Sequence, residues 1–121
     1  MPRLQPQDPA AVAEALAREE RTRADLKLLT KHFLGRLAQL APGKAVEVRV
    51  PPYAAVQVVE GVRHTRGTPP AVIELDAPTW IALATGELTW AAAVDTGRVR
   101  ASGERADLTP YLPLTASPGD P

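Results

Sequence analysis

The sequence predicts a single α/β domain. Three observations predict it: a helical period with start and stop signals over residues 8–43, a switch to a two-residue period at Lys44, and a second half in which short strands and short helices alternate between glycine stops. At 121 residues the chain fits one domain, and such a domain buries roughly two thirds of the surface its unfolded form exposes.

The opening segment MPRLQPQ, residues 1–7, is rich in proline and is predicted to be disordered, with the domain proper spanning 8–114 and a disordered tail, TASPGDP, at 115–121. Asp8 followed by Pro9 reads as an N-cap with proline at the first helical position, opening an Ala-rich helix to about Glu20. Thr22 with Asp25 three residues on forms a capping-box pair, which starts a longer helix ending near Pro42-Gly43. Leu26, Leu29, Phe33, Leu37 and Leu40 recur along it at three- and four-residue spacing and predict one apolar stripe.

From Lys44 the valines Val46, Val48 and Val50 alternate with Ala45, Glu47 and Arg49, the pattern of a half-buried strand. Pro51-Pro52 stops it, and Tyr53–Glu60 is the next strand, antiparallel to the first after a tight reversal. A polar loop, GVRHTRGTPP, leads to a third strand, Ala71–Leu75. Asp76 then caps a helix with Pro78 in its first turn and Trp80, Ile81, Leu83 and Ala84 along it, stopped at Gly86. Thr89 opens a short helix, WAAAVDT, stopped at Gly97. Arg98–Ser102 is a fourth strand, and a turn of helix falls around Asp107–Leu112.

Composition narrows the function classes. Fourteen basic residues balance fourteen acidic ones, so no global field draws the chain to nucleic acid or an anionic membrane. Cysteine is absent, which removes disulfides, thiolate nucleophiles and Cys-type zinc sites, and fits a reducing, cytoplasmic setting. No stretch has the roughly 18–20 apolar residues of a membrane span, and the charges in the first 20 residues argue against a secretory signal. Hydrophobic residues are 45% of the chain but aromatics only 4%, so the interior is built from Val, Ala and Leu.

Few residues carry chemistry. His32 has no partner at i+4 for a metal pair and reads as an ordinary helix histidine. His64, with Arg63 and Arg66 in a loop containing Gly67, can hold a carboxylate or phosphate head group, or can be a plain solvated loop. Glu74 and Asp76 are better explained as an outward strand residue and a helix cap than as an acid–base pair. Ser102 and Ser117 lack a nucleophile elbow, and the glycines are spaced as helix stops rather than as a phosphate loop. Arg23, Lys27 and Lys31 form a basic row on the polar side of the long helix, read as a solvated face. Trp80 and Trp90, near the starts of the two short helices, either close the core or wall an apolar pocket. No cofactor and no metal is expected.

The run AVIELDAPTWIALATGELTWAAAVDTGRVRASGERADL, Ala71 to Leu108, resembles the C-terminal half of the sterol carrier protein type 2 family in its order of strand, cap, helix, ATG-like turn before Gly-x-Leu, short helix and final strand. With Val46 to Pro70 it looks like the bacterial orthologue branch, small proteins of actinobacteria, and the many Ala, Pro and Arg residues fit a high-GC genome. The resemblance implies a mixed, mostly antiparallel sheet of four to five strands covered on one face by helices, with an apolar space between them for fatty acyl chains, sterols or similar lipids. The lining it implies is Val46, Val48, Val50, Val56, Val58, Ile73, Leu75, Trp80, Leu83, Leu88, Trp90, Val94 and Val99, with Arg63, His64 and Arg66 as polar anchor. Four strands are legible where the family usually has five, the HTRGTPP loop standing in the place of the other. The expected function is non-enzymatic carriage of an apolar ligand, with neither nucleic-acid binding nor integral membrane association. The alternatives are an accessory domain that docks a protein partner without lipid transfer, and a small enzyme acting at His64.

Overall fold

The computed structural model describes residues 4–61, 71–103 and 106–114. Helix α1 (Pro9–Ala17) starts where Asp8 accepts a hydrogen bond from the Ala11 N–H. It stops three residues short of the expected Glu20. The Arg21 guanidinium donates to the carbonyls of Ala15 and Leu16, so the last open acceptors are satisfied by a side chain instead of another helical turn. Helix α2 (Arg23–Leu40) opens with the full capping box: the Thr22 hydroxyl accepts from the Asp25 N–H and the Asp25 carboxylate from the Thr22 N–H. Asp25 is buried and also pairs with Arg18, which ties the end of α1 to the start of α2.

Of the stripe expected on α2, Leu29, Phe33 and Leu37 are buried together with Leu34, while Leu26 is half-buried. Leu40 is a correction: it stands 58% exposed. The chain leaves the helix axis at Ala41, which is buried in its place and accepts a hydrogen bond from the Val59 N–H. The turn that follows is crowded, because a Cβ on Gly43 (φ +151°) would meet the Val59 backbone at 2.2 Å. Only glycine fits this crossing of backbones.

Strands β1 (Val46–Val50), β2 (Ala54–Val58), β3 (Ala71–Leu75) and β4 (Val99–Ser102) form one sheet in the order β2-β1-β3-β4. β1 runs antiparallel to β2 and parallel to β3, and β3 runs antiparallel to β4. The sheet is therefore mixed and mostly antiparallel, with four strands among the described residues; the loop where a fifth would fall lies outside them. Between β1 and β2 the Pro51–Pro52 bond is cis and the Tyr53 N–H reaches back to the Val50 carbonyl.

The register divides the sheet cleanly. Val46, Val48 and Val50 sit beside Val58, Val56 and Ala54 on one side and Ala71 and Ile73 on the other, and Leu75 faces Val99. That face is apolar and mostly enclosed. The opposite face carries Gln57, Glu47, Arg49, Glu74 and Arg100.

Helix α3 (Ala77–Thr85) begins as expected at Asp76, whose carboxylate accepts from the Thr79 N–H at 2.8 Å, and ends at Gly86. Helix α4 (Trp90–Asp95) is capped by the Thr89 hydroxyl. A 3₁₀ turn at Thr109–Tyr111 brings the chain back over the helices, where Leu108 and Leu114 are buried. Leu114 is fixed at both polar groups: its N–H donates to the Ala84 carbonyl and its own carbonyl accepts from Arg36. At the other end, Leu4 packs against the core and the Gln7 N–H donates to His32. The disorder expected over residues 1–7 thus meets specific contacts from Leu4 to Gln7.

Candidate ligand-binding site

The space to consider lies between the apolar face of the sheet and the pair α2 and α3. Alternation in β1 and β3 aims Val48, Val50, Ile73 and Leu75 upward, and all four are buried. From above, α3 inserts Trp80 and Leu83, with 0% and 1% of their surfaces exposed. Val46, Val58 and Val99 complete the enclosed set. Val56, Leu88 and Trp90 are half-buried and pack on its margin.

Val94 departs from expectation. It is 45% exposed, not inward. Helix α4 is six residues long and buries Ala93 alone, so the side chain one position on, turned about 100° around the axis, faces solvent. The anchor residues Arg63, His64 and Arg66 lie outside the described residues.

Trp80 is fully enclosed. Its indole is part of the core, and its Nε1–H donates to the Thr30 carbonyl at 3.3 Å, linking α3 to α2 across the middle of the molecule. Close to this link sit two groups the sequence reading missed. Thr30 and Thr79 are each 0% exposed, and neither hydroxyl has a hydrogen-bond partner. A buried hydroxyl left unpaired costs about 1–3 kcal/mol, so these are the points in an aliphatic interior where a guest's polar atom, or a water, gains most. Nothing local in the sequence marks them, since threonine at either position fits a helix face equally well.

The other polar candidates fall into structural roles. Asp76 is the α3 cap. Glu74 lies on the outer face, between Arg49 of β1 and Arg100 of β4 in the register. Asp25 is held below the usual carboxylate range by the Thr22 backbone N–H, with the Thr22 hydroxyl and Arg18 adding to it against the cost of burial. Arg23 and Lys27 are exposed and Lys31 half-buried on the outer side of α2. Among the described residues no group of three His, Asp or Glu side chains comes together to hold a metal, and none of the helices is long and apolar enough to cross a membrane.

A mixed four-stranded sheet roofed by helices over an aliphatic interior makes this a small α+β domain. Residues 22–114 match the model of the bacterial SCP ortholog family, and the chain belongs to that family. The match spans α2, the whole sheet and the C-terminal segment that ends at Leu114. No curated protein matches the chain.

Proposed function

We propose that the protein binds and carries an apolar, lipid-like molecule between the sheet and helices α2 and α3, in the cytoplasm and without covalent chemistry. The observation that carries this reading is the family match over residues 22–114, because it covers the very elements that enclose the aliphatic interior. The physics supports it: each CH₂ moved from water into such an interior is worth about 0.8 kcal/mol, so a long acyl chain or a sterol repays the ordering of the site. With Trp80 and the strand valines enclosed, the guest enters by parting the helices from the sheet. The Thr30 and Thr79 hydroxyls then receive its polar end, alongside any contribution from Arg63, His64 and Arg66.

Native mass spectrometry of the purified protein, followed by organic extraction, tests the proposal. A lipid-sized adduct that extracts into organic solvent, or uptake of added palmitate or sterol, is expected. A protein that carries no adduct and takes up neither probe contradicts it. The second reading, an accessory domain docking another protein, draws on the open outer face of the sheet, where Arg49, Glu74 and Arg100 lie side by side.

A further inference from the structure

His32 is half-buried on α2 and does something an ordinary surface histidine does not. Its Nδ1 accepts a hydrogen bond of 2.9 Å from the backbone N–H of Gln7, twenty-five residues away. One turn along, Gly35 lets the same segment lie flat on the helix: a Cβ there would sit 2.5 Å from the backbone carbon of Gln5 and 2.7 Å from its oxygen. Leu4 packs against the core at the end of this run. Residues 4–7 therefore form a strap across α2, seated by a glycine and fastened by an imidazole.

The fastening has only one protonation state. Accepting at Nδ1 requires the neutral ring, with its proton on Nε2. An imidazolium carries a proton on Nδ1 and would present it to the Gln7 N–H, donor against donor. Burial holds His32 below the ordinary imidazole value of 6.5, and the Arg36 charge on the same helix pushes the same way. Other neighbours do not oppose this. The strap brings the uncharged Gln5, Pro6 and Gln7, with the Asp8 carboxylate engaged at the α1 cap. Phe33 meets the ring edge-on, and the preceding position on the helix is the half-buried Lys31. Among the described residues no carboxylate lies within ion-pair distance of the ring.

We propose that His32 is an acid-sensitive latch: protonation releases the strap from α2 and frees that helix to part from the sheet, so that uptake or discharge of the apolar ligand responds to pH. As regulation of ligand exchange it rests on the carrier reading above. The latch itself does not. Folding lowers the ring's proton affinity, so its contribution to stability is complete above about pH 6.5 and is lost as the pH falls toward the folded-state value.

Nuclear magnetic resonance on the full chain tests both parts. The Gln7 amide resonance is expected to move with the His32 titration, and in His32→Gln, whose side-chain oxygen accepts without titrating, to stay fixed between pH 8 and pH 5. Gly35→Ala keeps donor and acceptor but lifts the strap, and there the His32 pKa is expected to rise by about 0.5 to 1 pH unit, the equivalent of one hydrogen bond. A Gln7 amide indifferent to His32 protonation, or a His32 titration unchanged by Gly35→Ala, overturns the latch. Palmitate exchange is expected to be faster at pH 5 than at pH 7.5 in the natural chain and to lose that difference in His32→Gln. Strap release with unchanged exchange overturns the gating, whereas strap release in a protein that binds no palmitate at either pH overturns the carrier reading and leaves the latch standing.

Discussion

Helices α3 and α4 are written in the same local language and end up in different places. Each starts at a side-chain cap, carries a tryptophan in its first turns and stops at a glycine. Yet α3 buries Ala77, Thr79, Trp80, Ile81, Leu83 and Ala84, and α4 buries only Ala93. The difference lies in side-chain volume at the inward positions. Helix α3 presents Trp80, Ile81 and Leu83 to the interior, whereas the one side chain that α4 buries is the methyl of Ala93. Caps and stops set where a helix runs; the size of what it presents sets whether it belongs to the interior.

The largest effect should separate the two tryptophans. Trp80→Ala is expected to cost about 3–5 kcal/mol, the range for truncating a large enclosed aromatic, and Trp90→Ala about 1 kcal/mol, in keeping with a side chain on the margin. Urea unfolding of the two variants measures both, and equal losses would break the comparison. Next come the caps. Asp76→Ala is expected to lower stability by about 1–2 kcal/mol and Thr89→Ala by about 0.5 kcal/mol, since fraying α3 disturbs the core and fraying α4 does not; thermal melts read the difference. The smallest effect has the opposite sign. Replacing the unpaired, enclosed hydroxyl of Thr79 by a methyl in Thr79→Val is expected to gain about 1 kcal/mol. Thr96→Val at the end of α4 should gain nothing, because the Thr96 hydroxyl already donates to the Ala92 and Ala93 carbonyls.

Much of this architecture is written locally. Val46, Val48 and Val50 declare a strand buried on one face. Ala71–Leu75 is bounded by loop and cap, and Thr22, Asp76 and Thr89 each announce a helix start. These signals involve residues within four positions of one another. What stayed hidden depends on distant partners. The end of α1 is set by Arg21 folding back, the exposure of Leu40 by the backbone crossing at Gly43 and Val59, and the placement of Leu4 to Gln7 by His32 and Gly35. The site divides the same way. Alternation identified Val46, Val48 and Val50, while the rest of the lining, Val94 included, followed from the family resemblance, which gives the order of elements but not the face a six-residue helix turns inward. Thr30 and Thr79 were missed because a hydroxyl's lack of a partner is a property of the packed interior alone.

The contrast between the two helices also offers the most direct test of where a ligand goes. The two tryptophans give two indole N–H resonances, one from the enclosed Trp80 bonded to the Thr30 carbonyl and one from Trp90 at the margin. On titration with palmitate, the carrier account predicts that the Trp80 resonance shifts as α3 and α2 part around the guest, while the Trp90 resonance moves little. A Trp80 resonance that stays in place while palmitate binds, or while only Trp90 responds, would contradict a ligand held between the sheet and helices α2 and α3.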